Sequence, residues 1–342
     1  MEPITEMLER GALEELSFDF APQLLLFVAG ELGIFPALAA GAEDVSGVAM
    51  ATECSPRGAR ILLDCLAALG LLEKENERYH LNRYSRKYFL PSSEEYVGSL
   101  FGSCDQLLRL WLSLPAAVRT GRPTLALLTE KERAKLNLDT VEALFRVHRA
   151  YAWRLADLLE SQMRLSGKDQ APIKILDVAA GSAVWSIPFA LKSRNVEVTA
   201  IDFVPALDIA RKHTREFGVE SQYRFVGEDI RKMEFGAPQY DWALLGHICH
   251  SEGAFWSRRL IENCFRALRK NGRLLIMEYL REEKTNSDLI PLVLAINALL
   301  GTEEGDTFTF SQYEGWLLDA GFSETCMIPV DGRSPVISGL RG

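Results

Sequence analysis

The most constraining feature of this 342-residue chain is a loop of small residues, Asp177–Ala183, between two apolar segments. The segment before it, Ile173–Leu176, is a short apolar run typical of a buried strand, and the segment after it, Trp185–Leu191, is typical of a helix. A buried strand, a tight loop and a helix N-terminus together form nucleotide-cofactor sites in α/β sheets. The loop therefore predicts a parallel α/β domain with a cofactor site at one edge.

The residue that opens this loop narrows the class of cofactor. Asp177 ends the predicted strand, and the loop contains one glycine, Gly181, in place of the G-x-G-x-x-G pattern of dinucleotide sites. A carboxylate at this position repels a pyrophosphate strongly in a poorly solvated crevice. It attracts a cation with a free amino group, such as S-adenosylmethionine. The loop thus predicts an adenosyl cofactor that carries an ammonium group, and a methyltransferase.

Two more carboxylates follow the next two predicted strands. Asp202 follows Val196–Ile201 and is placed to accept hydrogen bonds from ribose hydroxyls, while Asp229 is placed to accept one from an adenine amino group. Their neighbours Phe203 and Ile230 are expected to line the same site. Each acid alone could be a helix cap or a solvated loop end. Three acids at three successive strand ends favour adenosyl binding.

The composition excludes several other classes of protein. A net charge of −9 disfavours nucleic acid as a partner, because phosphate binding needs clustered cations. No apolar run approaches the roughly 18 residues of a membrane span, and the acidic first fifteen residues do not resemble a targeting signal. The six cysteines show no C-x-x-C pair and no zinc-type spacing with histidine. We expect a cytoplasmic protein with reduced thiols and no metal.

The chain begins with a pattern of three helices and a hairpin. The segments are an apolar helix Ala21–Leu32, helices near 45–52 and 56–69, and a hairpin formed by 71–74 and 79–81. This order is typical of a winged helix, which can bind DNA or serve as a dimerisation or lid module. The third helix carries Arg57 and Arg60 beside Asp64, and the hairpin carries three glutamates. Because this surface repels phosphate, we expect the non-DNA role.

The remaining segments complete a prediction of three parts. Residues 1–95 form the winged-helix dimerisation domain, 96–168 a helical connector that supplies substrate-pocket helices, and 169–342 the cofactor-binding domain. The predicted connector helices are Leu107–Val118, Lys131–Leu138 and Val141–Leu165, followed by a polar linker, Gly167–Gln170. Strands and helices then alternate, with the helix at 255–269 ending at Asn271-Gly272, and the last segments form an antiparallel hairpin. The fold class is therefore α/β with a Rossmann-like sheet.

Several motifs together resemble one enzyme family. They are Leu69-Gly70-Leu71-Leu72-Glu73, the loop Asp177–Ala183, His250, Gly272–Glu278 and Gly321-Phe322. The chain resembles the class I S-adenosylmethionine-dependent O-methyltransferases of the acetylserotonin and caffeic-acid type. The resemblance covers nearly the whole chain and implies a Rossmann-like methyltransferase domain, a winged-helix domain that forms homodimers, and an aromatic or polycyclic small molecule as methyl acceptor.

The resemblance also places cofactor contacts on particular residues. It implies Ala179 and Gly181 in the loop, and Gly246 and His247 after the fourth strand. Family members have glycine at three loop positions that are alanine here, namely 179, 180 and 183. Alanine is costly wherever such a position requires a positive φ.

The catalytic residues follow from the same resemblance. His250 matches the family's catalytic histidine, and a histidine can take the proton of a phenol, whose pKa near 10 leaves it mostly neutral at pH 7. Glu278 matches a glutamate that flanks this histidine and can fix its tautomer. A second family glutamate corresponds to Glu303 or Glu304, and the residues do not decide between them.

The acceptor pocket is the least determined part of the site. The side chains of Phe145, His148 and Tyr151 lie at helical spacing and could form its roof, although a helix–helix core explains them equally well. Ser251-Glu252 replaces the Asp-Trp that usually follows the catalytic histidine, which leaves a C-methyltransferase acting on a tetrapyrrole or other activated carbon as an alternative. A third alternative, from another class, is a regulatory protein that binds S-adenosylmethionine without transferring its methyl group.

Overall fold

A computed structural model describes residues 4–9, 11–101, 104–163, 171–283, 288–330 and 335–342. The chain divides into two compact units, Met1–Asp105 and Gln106–Gly342. The predicted connector of residues 96–168 falls mostly within the second unit. Its boundary at 168 and the linker Gly167–Gln170 lie outside the described residues, so the division into three parts stays a prediction.

The first unit contains the expected helices and hairpin. Its elements are α1 (Ile4–Glu9), α2 (Leu13–Phe18), α3 (Ala21–Glu31), α4 (Ile34–Ala39), α5 (Val45–Ala51), α6 (Pro56–Ala68), β1 (Leu72–Glu75), β2 (Arg78–Leu81) and α7 (Arg83–Tyr88). Ser55 caps α6 by accepting a hydrogen bond from the Gly58 amide at 3.1 Å. Leu63, Leu66 and Tyr79 form part of its buried core. The predicted order of helices and hairpin is confirmed.

The helices before the sheet differ from the sequence prediction in two places. They are α8 (Cys104–Leu112), α9 (Leu114–Thr120) and α10 (Glu130–Leu159). The single helix predicted over 107–118 is broken before Pro115, whose ring removes a backbone donor. The two helices predicted between 131 and 165 are instead one continuous helix through Thr140, whose hydroxyl donates to the Leu136 carbonyl at 2.7 Å. The break predicted between residues 138 and 141 is therefore wrong.

The sheet has seven strands, as the fold prediction requires. Its elements, with their helices, are β3 (Ile173–Val178), α11 (Ile187–Lys192), β4 (Val196–Asp202), α12 (Val204–Glu216), β5 (Tyr223–Gly227), β6 (Tyr240–Gly246), α13 (Cys249–Ala267), β7 (Leu268–Met277), α14 (Leu289–Gly301), α15 (Phe310–Ala320), β8 (Ser323–Ile328) and β9 (Val336–Leu340). The order is β5-β4-β3-β6-β7-β9-β8. The first five of these strands are parallel, and β9 pairs antiparallel with both β7 and β8. The Rossmann-like sheet and the terminal hairpin are confirmed.

One helix end differs from its prediction. The helix expected to end at Asn271-Gly272 ends at Ala267, and β7 begins at Leu268. Asn271 has a positive φ of 64°, but it lies within the irregular start of the strand. The Asn271-Gly272 pair therefore does mark a left-handed backbone position, but this position is an irregularity within β7 and not a helix end.

Strand order decides where a ligand site can form. The chain passes from β3 to β4 and β5 on one side, then returns to β6 on the other side of β3. At such a switch point the loops after β3 and β6 diverge and open a crevice at the carboxyl ends of the strands. The Asp177–Ala183 segment begins at the end of β3, Gly246 ends β6 and His247 follows it, so both segments flank this crevice.

Candidate active site

The loop after β3 adopts a left-handed backbone at three positions. The φ angles are 53° at Ala179, 55° at Gly181 and 60° at Ala183, whereas Ala180 has no positive φ. The strain expected from alanine in place of glycine therefore falls on Ala179 and Ala183, at a cost of about 1 kcal/mol each. The loop tolerates it because its amides are held: Ala180 donates to the Ile201 carbonyl at 3.1 Å and Gly181 to Asp202 Oδ2 at 2.8 Å.

The carboxyl group of Asp177 does not lie exposed at the strand end, and this part of the prediction is wrong. The side chain is only 2% exposed, and Ser186 Oγ donates to Asp177 Oδ2 at 2.5 Å. The Tyr223 hydroxyl donates in turn to Ser186 Oγ at 3.1 Å. Burial raises the pKa of Asp177 to about 7, so it is a weak source of negative charge. Asp177 therefore anchors the loop to the start of α11, and its contact with a cofactor stays a prediction.

Asp202 and Asp229 retain their predicted positions at strand ends. Asp202 Oδ2 accepts the Gly181 amide, Oδ1 accepts the Phe203 amide at 2.7 Å, and Phe203 itself is 61% exposed. Asp229 accepts the Arg231 amide at 3.0 Å, and this hydrogen bond lowers the pKa of its carboxyl group. Ile230 beside it is buried. Each aspartate has lone pairs left for the hydroxyl and amino donors of an adenosyl ligand.

The register between β6 and β7 brings the catalytic candidates together. Gly246 pairs with Met277, so the next residues in each strand, His247 and Glu278, emerge side by side. The His247 amide donates to the Met277 carbonyl at 2.9 Å, with a positive φ of 54° at His247. His250 follows one turn later, at the start of α13. Two histidines and a carboxylate thereby meet at the crevice.

His250 and Glu278 form a hydrogen-bonded pair. His250 Nδ1 lies 2.9 Å from Glu278 Oε2 and 3.2 Å from Oε1, and the His250 amide donates to Oε1 at 3.2 Å. A carboxylate can only accept, so Nδ1 carries the proton and Nε2 presents a lone pair. Burial alone lowers the pKa of His250, but attraction and hydrogen bonding to Glu278 outweigh it and raise the pKa. Although burial opposes ionisation, the two histidines hold the pKa of Glu278 well below its usual range.

His247 lies on the other side of the same carboxylate. Its Nδ1 is 3.6 Å from Glu278 Oε2, and ligand atoms of His247, His250 and Glu278 lie within 4.8 Å of one another. Such a group is compact enough to hold a metal ion, but the 2.9 Å contact of His250 is the length of a hydrogen bond. The hydrogen bonds account for the geometry.

Aromatic rings pack behind this cluster, and the sequence analysis missed two of them. His148 stacks on His247 with ring centroids 4.1 Å apart. Trp185 lies 5.8 Å from His247, and Tyr279 lies 5.0 Å from it. An added Cβ at Gly246 would meet Trp185 at 2.4 Å, which explains the glycine at the end of β6. Tyr279 follows Glu278 directly, so its position beside the motif was an available signal.

Only one of the three predicted roof residues joins the cluster. His148 does, but Phe145 stacks on His213 of α12 with centroids 3.8 Å apart and belongs to the core between α10 and the sheet. Tyr151 packs against the same core, under the Arg154 guanidinium at 5.0 Å from its ring centre. These contacts favour the core interpretation for Phe145 and Tyr151, and their assignment to the acceptor pocket stays a prediction.

The backbone of the segment that contains Glu303 and Glu304 contacts the catalytic turn, which is residues 250–253 near the start of α13. Both glutamates are exposed. The Asp306 amide donates to the His250 carbonyl at 2.9 Å, and Gly253, with φ 76°, kinks α13 so closely that a Cβ there would lie 2.3 Å from the Glu304 carbonyl oxygen. The structure therefore gives Glu303 no contact with the His250–Glu278 pair and assigns this segment a supporting role.

An ion pair that the sequence did not indicate joins the cofactor side to the catalytic turn. Arg231, which follows Asp229, donates through Nε to Glu252 Oε2 at 2.6 Å and through Nη2 to Oε1 at 3.2 Å. Glu252 is buried, two residues after His250. Glu252 therefore has a structural partner in Arg231, and the C-methyltransferase alternative stays untested by this contact.

Comparisons with known proteins agree with this geometry. The O-methyltransferase dimerisation domain matches residues 14–91, and a methyltransferase domain matches residues 175–272. The 3-hydroxy-5-methyl-1-naphthoate 3-O-methyltransferase of Streptomyces sahachiroi is 27% identical over 325 residues, covering 92% of this chain and 91% of the relative. The tetracenomycin polyketide synthesis 8-O-methyl transferase of Streptomyces glaucescens is also 27% identical, covering 100% and 99%.

A solved structure shares the fold over nearly its full length. Human N-acetylserotonin methyltransferase, crystallised with S-adenosylmethionine, has a TM-score of 0.79 at 23% identity and covers 98% of both chains. The fold and the site define an S-adenosylmethionine-dependent methyltransferase. The chain belongs to the O-methyltransferases that carry a dimerisation domain. Among the described residues, no helix is both long and apolar enough to cross a membrane.

Proposed function

We propose that this enzyme methylates a phenolic hydroxyl of an aromatic or polycyclic small molecule, with His250 as the general base. The observation that carries the proposal is the 2.9 Å contact between His250 Nδ1 and Glu278 Oε2. It directs the basic Nε2 away from the carboxylate. The names of the two bacterial relatives, which describe O-methylation of a naphthoate and of a tetracenomycin, support the class of acceptor.

The two catalytic side chains divide the work. Glu278 accepts a hydrogen bond from Nδ1–H of His250 and stabilises the imidazolium that forms when Nε2 takes the phenolic proton. S-adenosylmethionine, when bound, supplies an electrophilic methyl group, which the phenol oxygen gains as the carbon–sulfur bond breaks. Because the oxygen becomes nucleophilic only as its proton leaves, the base contributes about 10²–10⁴ in rate. The buried carboxylate keeps the charged imidazole stable where solvent cannot.

The residues around the crevice fit an adenosyl cofactor. We propose that Asp202 binds the ribose, that Asp229 and Ile230 contact the adenine, and that Phe203 offers an exposed apolar surface beside them. The left-handed loop Ala179–Gly181 and the backbone of Gly246 would hold the amino-acid end. Two carboxylates with free acceptor positions suit hydroxyl and amino donors and disfavour a diphosphate.

We also propose a homodimer formed through the first unit. The matched dimerisation domain supports it, as do large apolar side chains of this unit that are exposed, including Phe18, Phe20 and Leu32. A cytoplasmic location is proposed on a separate ground, because all six cysteines are free thiols. Sedimentation of the purified protein would test the first proposal, and a monomer at micromolar concentration would contradict it.

The test of the base is a comparison of two histidine variants. His250→Ala should lower kcat by about 10²–10⁴ on a panel of naphthols, with little change in S-adenosylmethionine binding by calorimetry. His80→Ala is the matched control, because His80 lies in the hairpin of the first unit, where it contacts Glu43. Equal methylation by wild type and His250→Ala would remove the base assignment. Failure of the wild type to methylate any phenol would remove the proposed function.

A further inference from the structure

One polar side chain near the catalytic pair is left unsatisfied. His148 is 1% exposed, and neither Nδ1 nor Nε2 has a hydrogen-bond partner among the described residues. Leaving a buried polar group unpaired costs about 1–3 kcal/mol, and His148 has two such atoms. Burial, followed by the nearby His247, lowers the pKa of His148 to about 2, so the ring is neutral at physiological pH. A neutral imidazole offers one donor and one acceptor.

The surroundings of His148 place it at the catalytic cluster and not in a separate core. Its ring stacks on His247 at 4.1 Å and 16°, with Trp185 at 5.4 Å and Tyr279 at 6.2 Å. His247, on which it stacks, lies with its Nδ1 3.6 Å from Glu278 Oε2. His148 therefore lies one stacked ring away from the Glu278 carboxylate that contacts His250.

We propose that His148 is a specificity-determining residue that hydrogen-bonds a second oxygen atom of the methyl acceptor. This inference rests on the proposed function, because it assumes a phenol whose hydroxyl faces His250. The stack with His247 fixes the imidazole plane, so the ring does not have to be ordered when the acceptor binds. His148 is a binding residue here, and the proton transfer stays with His250.

The neutral ring selects a chemical class of acceptor. Its N–H can donate to a carbonyl or hydroxyl oxygen elsewhere on the same ring system, and the unprotonated nitrogen can accept from a hydroxyl. An unsubstituted hydrocarbon ring has no polar atom to pair with either nitrogen. We therefore expect a polycyclic phenol with a second oxygen substituent to be preferred over the same rings without it.

The experiment uses two acceptors with the same three-ring skeleton, one with two quinone carbonyl oxygens and one with no oxygen besides its hydroxyl. They are 2-hydroxyanthraquinone and 2-hydroxyanthracene, each with one hydroxyl that can be methylated. The main variant is His148→Phe, which keeps an aromatic ring against His247 and removes both nitrogens, and the conservative variant is His148→Gln, which restores a donor and an acceptor. The quantity compared is the ratio of kcat/KM between the two acceptors, so their different acidities cancel between variants.

The expected result is a loss confined to one acceptor. His148→Phe should lower kcat/KM for the anthraquinone by about 10–100-fold and change that for the anthracene by less than about threefold. His148→Gln should regain part of the preference. Equal losses on both acceptors would show a merely structural role and overturn the inference, and so would an unchanged ratio in His148→Phe.

A binding measurement separates this inference from the proposed function. Both acceptors are titrated into the protein saturated with S-adenosylhomocysteine, with tryptophan fluorescence as the readout because Trp185 lies beside His148. If wild type prefers the anthraquinone in a His148-dependent way but methylates neither compound, the inference stands and the proposed function fails. If the wild type and His148→Phe each methylate the anthracene and the anthraquinone equally well, the function stands and the inference fails.

Discussion

His250 and Glu278 come from different segments, yet their side chains meet at 2.9 Å because β6 and β7 are neighbouring parallel strands. The main chain sets this distance. Gly246 lies opposite Met277, Glu278 extends one strand, and His250 stands in the first turn of the helix after the other. A carboxylate and an imidazole placed by the sheet in this way form a base whose protonation state depends on one neighbour.

Replacing Glu278 should move the pH dependence of the reaction. Glu278 raises the pKa of His250, and only the neutral imidazole can accept a proton, so activity of the wild type rises with pH through this raised pKa. Glu278→Gln keeps an acceptor for Nδ1–H and removes the charge. We expect the rising limb of kcat/KM to shift to lower pH and the plateau to fall by about 10–10³-fold. Profiles measured from pH 5.5 to 9 check both effects.

The matched comparison is Glu303→Gln, which changes an exposed glutamate that the sequence analysis considered catalytic. Its pH profile should coincide with that of the wild type. A shift of the rising limb in Glu303→Gln, or no shift in Glu278→Gln, would contradict the assignment made here.

Asp177 should make the protein less stable as the pH rises. Its pKa is 3.8 in the reference state and about 7 when folded, so the folded state holds the proton more tightly. The stability that protonation contributes is complete below pH 4 and is lost as the pH rises through 7, by at most about 1.4 kcal/mol per unit. Asp177→Asn keeps an acceptor for Ser186 and removes this dependence. In urea unfolding, the free energy of unfolding should fall less between pH 5 and pH 8 in Asp177→Asn than in the wild type. Equal decreases in the two proteins would contradict the expectation.

The Ala179→Gly variant should be more stable than the wild type. The residue is half-buried with a φ of 53°, so the substitution relieves left-handed strain of about 1 kcal/mol and loses little packing. Ala180→Gly is the control, because Ala180 is buried without a positive φ, and there glycine should destabilise by about 1 kcal/mol. Chemical denaturation of the two variants gives the comparison. Destabilisation of both by equal amounts would show that the loop is not strained at Ala179.

The Gly253→Ala variant should disrupt the catalytic turn. The new Cβ would lie 2.3 Å from the Glu304 carbonyl oxygen on a backbone with φ 76°, so we expect about 2–4 kcal/mol of destabilisation and a fall in kcat. In Gly315→Ala the added Cβ meets no heavy atom within 4 Å inside α15, which should stabilise by about 0.5–1 kcal/mol. Thermal unfolding and kcat of both variants are the measurements. Normal activity of Gly253→Ala would show that the kink can relax.

The sequence predicted most of what depends on local chemistry. The helix that begins at Pro56, the strand ends at Asp202 and Asp229, and the family motif at His250 and Glu278 all lie where expected. Each has a signal within a few residues: a capping residue before a proline, an acid after an apolar run, or a motif at a strand end.

The remaining features depend on contacts between distant segments. Nothing near Asp177 in sequence indicates that Ser186 and Tyr223 enclose its carboxyl group, because burial is decided by how β5 and α11 cover the loop. Phe145 and His148 are three residues apart in α10, which predicts one shared face of the helix. Phe145 nevertheless packs on His213 of α12, whereas His148 packs on His247. Periodicity identifies the buried side of a helix, and the identity of its neighbour is fixed only by tertiary packing.

The pairing of Gly246 with Met277 has a wider consequence for how such an enzyme can change. In the roles proposed for these residues, backbone ladder bonds position the base, whereas the stacked ring of His148 is contributed by a separate long helix. Reaction chemistry and choice of acceptor then depend on different layers of the architecture. On this proposal, side chains of that helix can be exchanged to admit new aromatic compounds while the pair that activates a hydroxyl remains intact.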